Sequence, residues 1–154
     1  MHYSLWLIPA PLPIIDDLSE IFDAVRFLPH VTVLEAFERT GPIALHEPIE
    51  LVFDHLECTA DSIRMRARPD RAFSRLAEHA RSVLGGDIPA PHLSLAYFPH
   101  DPEGARGFAF GMLDFPLSLR FDALEFWDTR GELSVENVRS WSRLKRVRAQ
   151  DTSR

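Results

Sequence analysis

Two stretches of this sequence, Pro29-His30-Val31-Thr32-Val33 and Pro91-His92-Leu93-Ser94-Leu95, repeat one pattern. In both, a proline and a histidine precede an apolar residue, a hydroxyl residue and a second apolar residue. Residues i and i+2 of a β-strand project from the same face. Each stretch therefore predicts a strand that carries an imidazole and a hydroxyl side by side, with apolar side chains facing a core.

Elements that surround the two stretches support a mixed fold with mostly antiparallel sheet. Each stretch follows a predicted helix, near residues 14–27 for the first and over 70–84 for the second. Period-two and β-rich runs predict further strands, at residues 3–8, 49–58, 62–68, 116–127 and 135–146. Residues 101–114 are Gly-rich and can form a short helix. The order β-α-β-β-β-α-β-(α)-β-β argues for an α+β protein, and residues 1–154 read as one domain without a linker.

The composition describes an acidic globular chain. It has 17 basic and 23 acidic residues, and six of the basic residues but only one acid lie in 139–154. The preceding residues thus have 11 basic side chains against 22 acidic ones, which disfavours duplex DNA as a partner. No apolar run is long enough to cross a bilayer, so no membrane association is expected. The single Cys58 excludes an internal disulfide and favours a cytoplasmic protein.

Paired histidines beside hydroxyls suit acid/base chemistry on a phosphodiester. A lone strand histidine is more often structural, but packing has no need of the same pattern twice. If the halves are related by a pseudo-two-fold axis, His30 and His92 face one another across a cleft. One imidazole can then take a proton while the other delivers one, and Thr32 and Ser94 can bind the phosphate oxygens. No Cys or His cluster predicts a metal site, and no cofactor is expected.

The two stretches resemble the signature motifs of the 2H phosphoesterase superfamily, and further residues resemble its cyclic phosphodiesterase branch. Residues 3–9 are similar to that branch's opening strand, and residues 92–97 to its second motif. The resemblance implies a two-lobed, pseudo-symmetric fold with antiparallel sheets, outer helices and a central cleft. It also implies catalytic His30 and His92, phosphate-binding Thr32 and Ser94, and a base or ribose pocket. Trp6 and Tyr97 would line that pocket.

The function expected from this resemblance is metal-independent hydrolysis of a 2′,3′-cyclic nucleotide phosphate or of ADP-ribose cyclic phosphate, by a monomer. Two alternatives remain open. One is an RNA end-processing or 2′-5′ RNA ligase-like enzyme that acts on an RNA terminus. The other is a phosphate-ligand-binding protein without turnover. Which histidine is the acid stays undecided, because the repeat makes them alike.

Several other side chains have a structural explanation beside the functional one. Trp6 suits core packing as well as stacking, and Tyr97 falls on the strand face opposite His92 unless the strand twists. The stripe Arg64, Arg66 and Arg68 is typical of a solvated sheet face, with a phosphate-attracting rim as the alternative. His55 shares its predicted face with core residues and is expected to be buried.

Overall fold

The structure, a computed structural model, describes residues 3–24, 27–98, 103–129 and 142–149. Its elements follow the predicted order, and a helix occupies the ambiguous Gly-rich segment. They are β1 (Tyr3–Pro9), α1 (Pro13–Phe22), β2 (Val31–Phe37), β3 (Ile49–Cys58), β4 (Ser62–Ala67), α2 (Arg71–Leu84), β5 (His92–Tyr97), α3 (Glu103–Met112), β6 (Leu117–Asp128) and β7 (Ser142–Arg148).

The boundaries of α1 and β7 differ most clearly from the prediction. Helix α1 ends at Phe22 instead of near Phe27, because Asp23 adopts the left-handed conformation with a φ of 56°. The last described strand, β7, runs to Arg148, and the predicted start of that strand at residues 135–141 lies outside the described residues. Helix α2 begins as predicted, since the side chain of Asp70 caps it by accepting a hydrogen bond from the backbone N–H of Phe73 at 2.9 Å.

The seven strands form one antiparallel sheet in the order β1-β2-β5-β4-β3-β6-β7, with a further pairing between β1 and β6. Strands β2, β1, β6 and β7 make one half of the sheet, and β5, β4 and β3 make the other. The halves meet at the pair Val31–Leu93 and along β3 and the first residues of β6. The predicted α+β class and the two-lobed antiparallel arrangement are confirmed.

One face of this sheet carries the main hydrophobic core. A row of paired residues crosses all seven strands, and five of its members are fully buried; in strand order the row is Leu56, Met65, Leu93, Val31, Leu7, Leu124 and Val147. Helix α1 packs against β5 and helix α2 against β2, so each lobe's helix covers the signature strand of the other. No described helix is long and apolar enough to cross a membrane.

The two signature strands share an irregularity at the same position. In the β1–β2 pairing, Leu5 is opposite Leu34 and Trp6 is opposite Thr32, so Val33 has no partner. In the β4–β5 pairing, Ile63 is opposite Ala96 and Arg64 is opposite Ser94, so Leu95 has none. Each strand therefore has a one-residue bulge directly after its hydroxyl residue. A bulge reverses the alternation of faces beyond it. Residues further along the strand therefore project from the face opposite to the one that strict alternation predicts.

Candidate active site

The pair Val31–Leu93 brings the two signature strands together. Both residues face the core, so their neighbours in sequence face the other side of the sheet. Extending this antiparallel register by one residue in each direction sets His30 opposite Ser94 and Thr32 opposite His92. The four predicted catalytic and phosphate-binding residues thus lie together on one face, with the two histidines on a diagonal. Such diagonal neighbours are about 7–8 Å apart.

The side chains that flank these four residues are charged on one side and apolar on the other. On the β4 side, Arg64 is paired with Ser94 and Arg66 with His92. On the β1 side, Trp6 is paired with Thr32, and the register places Ile8 beside His30. Trp6 and Ile8 belong to a second, small apolar cluster on this face, together with Ala123 and the partly buried Leu28 and Trp127. The site therefore has a cationic side and an apolar side.

Both imidazoles are held in the same tautomer by backbone carbonyls. Nδ1 of His30 lies 2.8 Å from the carbonyl oxygen of Leu28, and Nδ1 of His92 lies 2.9 Å from that of Ala90. Because a carbonyl oxygen only accepts, each Nδ1 donates its hydrogen to the residue two positions earlier. The neutral form of each ring therefore carries its lone pair on Nε2, which is the atom that can accept a proton.

Burial makes the two histidines unequal. His30 is 6% exposed, and this burial lowers the pKa of its imidazole to about 4, with a further lowering by the nearby His92. His92 is only half-buried. Its pKa is also lowered, mainly by burial and then by the positive charges of Arg64 and Arg66. Near neutral pH the structure favours the neutral, proton-accepting form of His30 most strongly.

Trp6 lies against His30 instead of standing at an open surface. Its indole is 2% exposed and stacks on the His30 imidazole with ring centroids 3.5 Å apart and an interplanar angle of 10°. Trp127 stacks on the same indole at 4.6 Å. Along β1, His30 lies beside Ile8 and Trp127 is paired with Ser4. The two rings therefore flank Trp6 from opposite directions and cover both faces of its indole. This geometry favours a positioning role for Trp6 over direct stacking on a nucleobase.

Tyr97 reaches the site because of the bulge at Leu95. Strict alternation would place Tyr97 on the face opposite Ser94, but the unpaired Leu95 returns it to the same face. The Tyr97 hydroxyl donates a hydrogen bond to the Ser94 Oγ at 3.0 Å, and its ring packs on Phe27. An Oγ that accepts from Tyr97 keeps its own hydrogen for another acceptor, such as a phosphate oxygen. Tyr97 is 6% exposed, so its phenol ring offers little surface to a ligand.

A carboxylate that the sequence did not single out joins the two arginines. Glu57 accepts hydrogen bonds from Nε of Arg64 at 3.0 Å, and from Nε at 3.0 Å and Nη2 at 2.7 Å of Arg66. These bonds lower the pKa of Glu57 to about 2, the Arg66 bond contributing most. Arg68, the third member of the predicted stripe, is exposed and pairs with Asp54. The stripe is therefore divided between two carboxylates.

The expectation that His55 is buried is wrong. The β3–β4 register shifts by one residue between Phe53 and His55, which turns His55 away from the core face of Leu51 and Phe53. Its side chain is 58% exposed and lies 3.8 Å from Glu57. The same shift brings Glu57 to the face of the site. Sequence alternation alone misses both side chains, because nothing in the local pattern marks the bulge.

A second carboxylate, which is buried, supports the apolar side. Glu125 is fully buried and accepts a hydrogen bond from the Trp127 indole at 2.9 Å, and it pairs with Arg143 and Arg146 of β7. Trp127 is thus fixed at the rear of the Trp6–His30 stack. The sequence pattern gives no signal for Glu125. Within the part of the chain that the structure describes, no three His, Cys, Asp or Glu side chains converge as metal ligands would.

Comparison with known proteins finds relatives by structure. No protein-family model matches the chain, and no curated protein matches its sequence significantly. E. coli LigT in complex with phosphate has 12% identity and a TM-score of 0.56, over 97% of this chain and 98% of its own. TT0787 from Thermus thermophilus has 17% identity and a TM-score of 0.56, over 96% and 97%. A protein described as a phosphoesterase has 14% identity and a TM-score of 0.53, over 97% and 98%.

E. coli LigT has also been solved with ATP, with 3′-AMP and with NADP+. At these identities the likeness is one of fold, and it extends over nearly all of every chain compared. The expectation drawn from the two signature stretches is confirmed at that level: the protein has the LigT-like fold of the 2H phosphoesterases.

Proposed function

We infer that the protein hydrolyses a cyclic phosphate, either a 2′,3′-cyclic nucleotide or ADP-ribose cyclic phosphate, by general acid/base catalysis without a metal. The observation that carries this inference is the arrangement of His30, Thr32, His92 and Ser94 around the Val31–Leu93 pair. In both rings the bonded Nδ1 leaves the lone pair of the neutral form on Nε2, and a diagonal separation of about 7–8 Å between the strand positions suits a tetrahedral phosphate between them.

In the proposed reaction His30 is the base and His92 the acid. Nε2 of His30 takes a proton from water as the water oxygen bonds to phosphorus. The bond from phosphorus to one ribose oxygen breaks, and that oxygen receives the proton from Nε2 of His92. The product is an acyclic phosphomonoester. Deep burial and the lowered pKa of His30 support its role as base, and the greater exposure of His92 supports proton delivery to a leaving group.

The two hydroxyl residues bind the non-bridging phosphate oxygens in this scheme. Thr32 lies next to His30 on the same strand face, as Ser94 does next to His92. Because Ser94 Oγ already accepts from Tyr97, its hydrogen is directed to the phosphate. Charge that develops on those oxygens in the transition state strengthens both hydrogen bonds.

The test is turnover of 2′,3′-cyclic nucleotides and of ADP-ribose cyclic phosphate in excess EDTA, with the products resolved by chromatography. We expect His30→Ala and His92→Ala each to lower kcat by about 10²–10⁴-fold. His79→Ala on the exposed face of α2 is the matched control and should retain full activity. Activity that disappears with EDTA, or that survives in either active-site variant, would reject the mechanism.

RNA end processing or 2′-5′ ligation is the second candidate. The fold of LigT favours it, as do the exposed arginines of β7, Arg143, Arg146 and Arg148. A short RNA with a 2′,3′-cyclic phosphate end separates the two functions. Preference for the RNA over the mononucleotide, with a steep salt dependence, would support the RNA enzyme. Tight binding of cyclic nucleotides without product would support a binding protein. A cytoplasmic location and a monomeric state remain predictions.

A further inference from the structure

The two arginines on the cationic side of the site lie next to the reacting groups, but their guanidinium groups point away from those groups. Arg64 and Arg66 are cross-strand neighbours of Ser94 and His92, about 4.8 Å away across the sheet. Met65 between them is fully buried in the core, so both arginine side chains emerge on the face of the site. Their Nε atoms point on towards Glu57 of β3, one strand further from the proposed phosphorus position.

In the Arg64–Arg66–Glu57 cluster, Glu57 neutralises only part of the positive charge and engages only some of the hydrogen-bond donors. Two guanidinium groups face one carboxylate, which leaves a net charge of about +1. A guanidinium has five N–H donors. Glu57 accepts from one of them on Arg64 and from two on Arg66, so each fork retains donors that Glu57 does not engage. All three side chains are about 30% exposed, which keeps the cluster open to a ligand.

The opposite side of the site offers a surface for an uncharged group. Beside the segment that precedes His30, a cavity of about 450 Å³ has an apolar wall that includes Ile8, Leu28 and Ala123. Its lining also contains four charged residues, Arg120, Asp122, Arg146 and Arg148. The apolar wall suits the uncharged part of a nucleoside. A ligand that spans the site then has its neutral portion over β1 and any second charged group over β4.

We propose that Arg64 and Arg66 bind a second phosphoryl group of the substrate, distinct from the cyclic phosphate held between His30 and His92. The inference rests on the proposed function in taking the ligand to be a phosphorylated nucleoside. A planar guanidinium group can donate two parallel hydrogen bonds to two oxygens of one phosphate. Glu57 holds both forks in place and competes with the phosphate for them. The preferred substrate therefore has a phosphate, diphosphate or internucleotide linkage in addition to the ring that opens.

The experiment measures preference for the second phosphate by two independent readouts. One is the ratio of kcat/KM for adenosine 2′,3′-cyclic phosphate with and without a 5′-phosphate. The other is the ratio of dissociation constants for adenosine 2′-monophosphate and adenosine 2′,5′-bisphosphate, by calorimetry at fixed ionic strength. We expect the wild-type protein to favour the second phosphate by about tenfold or more in both.

Three variants locate the preference. Arg64→Met combined with Arg66→Met should bring both ratios close to one. Glu57→Gln removes the competing charge and should raise them, which gives a test that deletes no arginine. Arg68→Met is the matched control from the same strand, and since Asp54 holds Arg68 at an exposed position, its ratios should equal those of the wild type. Circular dichroism verifies the fold of each variant.

The outcomes separate the two proposals. Turnover without any preference, or a preference that survives in the double variant, overturns the second phosphate site and leaves the proposed function intact. A preference that is lost with Arg148→Met instead places the site in the cavity that Arg148 lines and also overturns the inference. An arginine-dependent binding preference without turnover supports the site and rejects the hydrolase. ADP-ribose cyclic phosphate and a cyclic-ended dinucleotide then show which linkage supplies the second phosphate.

Discussion

The Trp6 indole and the His30 imidazole lie face to face, with ring centroids 3.5 Å apart and an interplanar angle of 10°. This contact keeps water from one face of His30, while the carbonyl of Leu28 fixes its Nδ1. The low pKa of His30 follows mainly from this burial, whereas the hydrogen bond to Leu28 acts in the opposite direction and raises it. His92 reaches a similar tautomer with less burial, which distinguishes two residues that the repeated sequence makes equivalent.

Replacement of Trp6 by phenylalanine tests this contact. The smaller ring covers less of the imidazole, so water reaches His30 and its pKa rises from about 4 towards 6.5. We expect kcat/KM to fall by about tenfold, because a misplaced base loses proton-transfer efficiency. Histidine NMR titration measures the pKa directly. Phe110→Leu on the exposed side of α3 is the control, and an unshifted His30 in Trp6→Phe would contradict the argument.

The pH dependence of kcat/KM should be a bell shifted to acid. His30 must be neutral to act as base, so activity falls as pH drops through its pKa of about 4. His92 must be protonated to act as acid, so activity falls as pH rises through its pKa, which lies below the ordinary 6.5. Rates from pH 3.5 to 8 at constant ionic strength give both limbs. A maximum above pH 7 would be incompatible with these roles.

Folding stability should fall on acidification through the same group. The unfolded chain protonates His30 near pH 6.5 and the folded protein only near pH 4, so the unfolded state binds more protons between these values. The contribution of His30 to the free energy of unfolding therefore drops by roughly 3 kcal/mol as pH decreases from 6.5 to 4. Urea unfolding at several pH values measures this change. His30→Gln should remove that part of the slope, whereas His79→Gln should leave it as in the wild type.

Removal of the Tyr97 hydroxyl isolates its effect on Ser94. In Tyr97→Phe the Ser94 hydroxyl is free to rotate and its hydrogen is no longer directed to the phosphate. We expect kcat/KM to fall by about five- to tenfold, the usual cost of one hydrogen bond. In a Ser94→Ala background the same change should have little effect, since the two groups act as a unit. Tyr3→Phe removes the other tyrosine hydroxyl of the chain and is the control; full additivity in the double variant would reject the coupling.

Local sequence patterns were sufficient for the elements and for the central residues of the site. Strand alternation places His30 with Thr32 and His92 with Ser94, and helix periodicity over 70–84 predicts α2. These properties depend on residues only a few positions apart, so they can be predicted from the sequence alone. The element order was correct for the same reason. The end of α1 was not, because the left-handed conformation of Asp23 has no strong sequence signal.

Tertiary structure decided what surrounds those central residues. Three register shifts, after Thr32, after Ser94 and after Phe53, reverse the alternation that a sequence pattern assumes. They bring Tyr97 to Ser94 and Glu57 to the arginines. Pairing between distant strands likewise placed Trp6 on His30 and Arg64 beside Ser94. Register depends on contacts across the sheet, so no window along the chain encodes which of two equivalent histidines becomes the buried one.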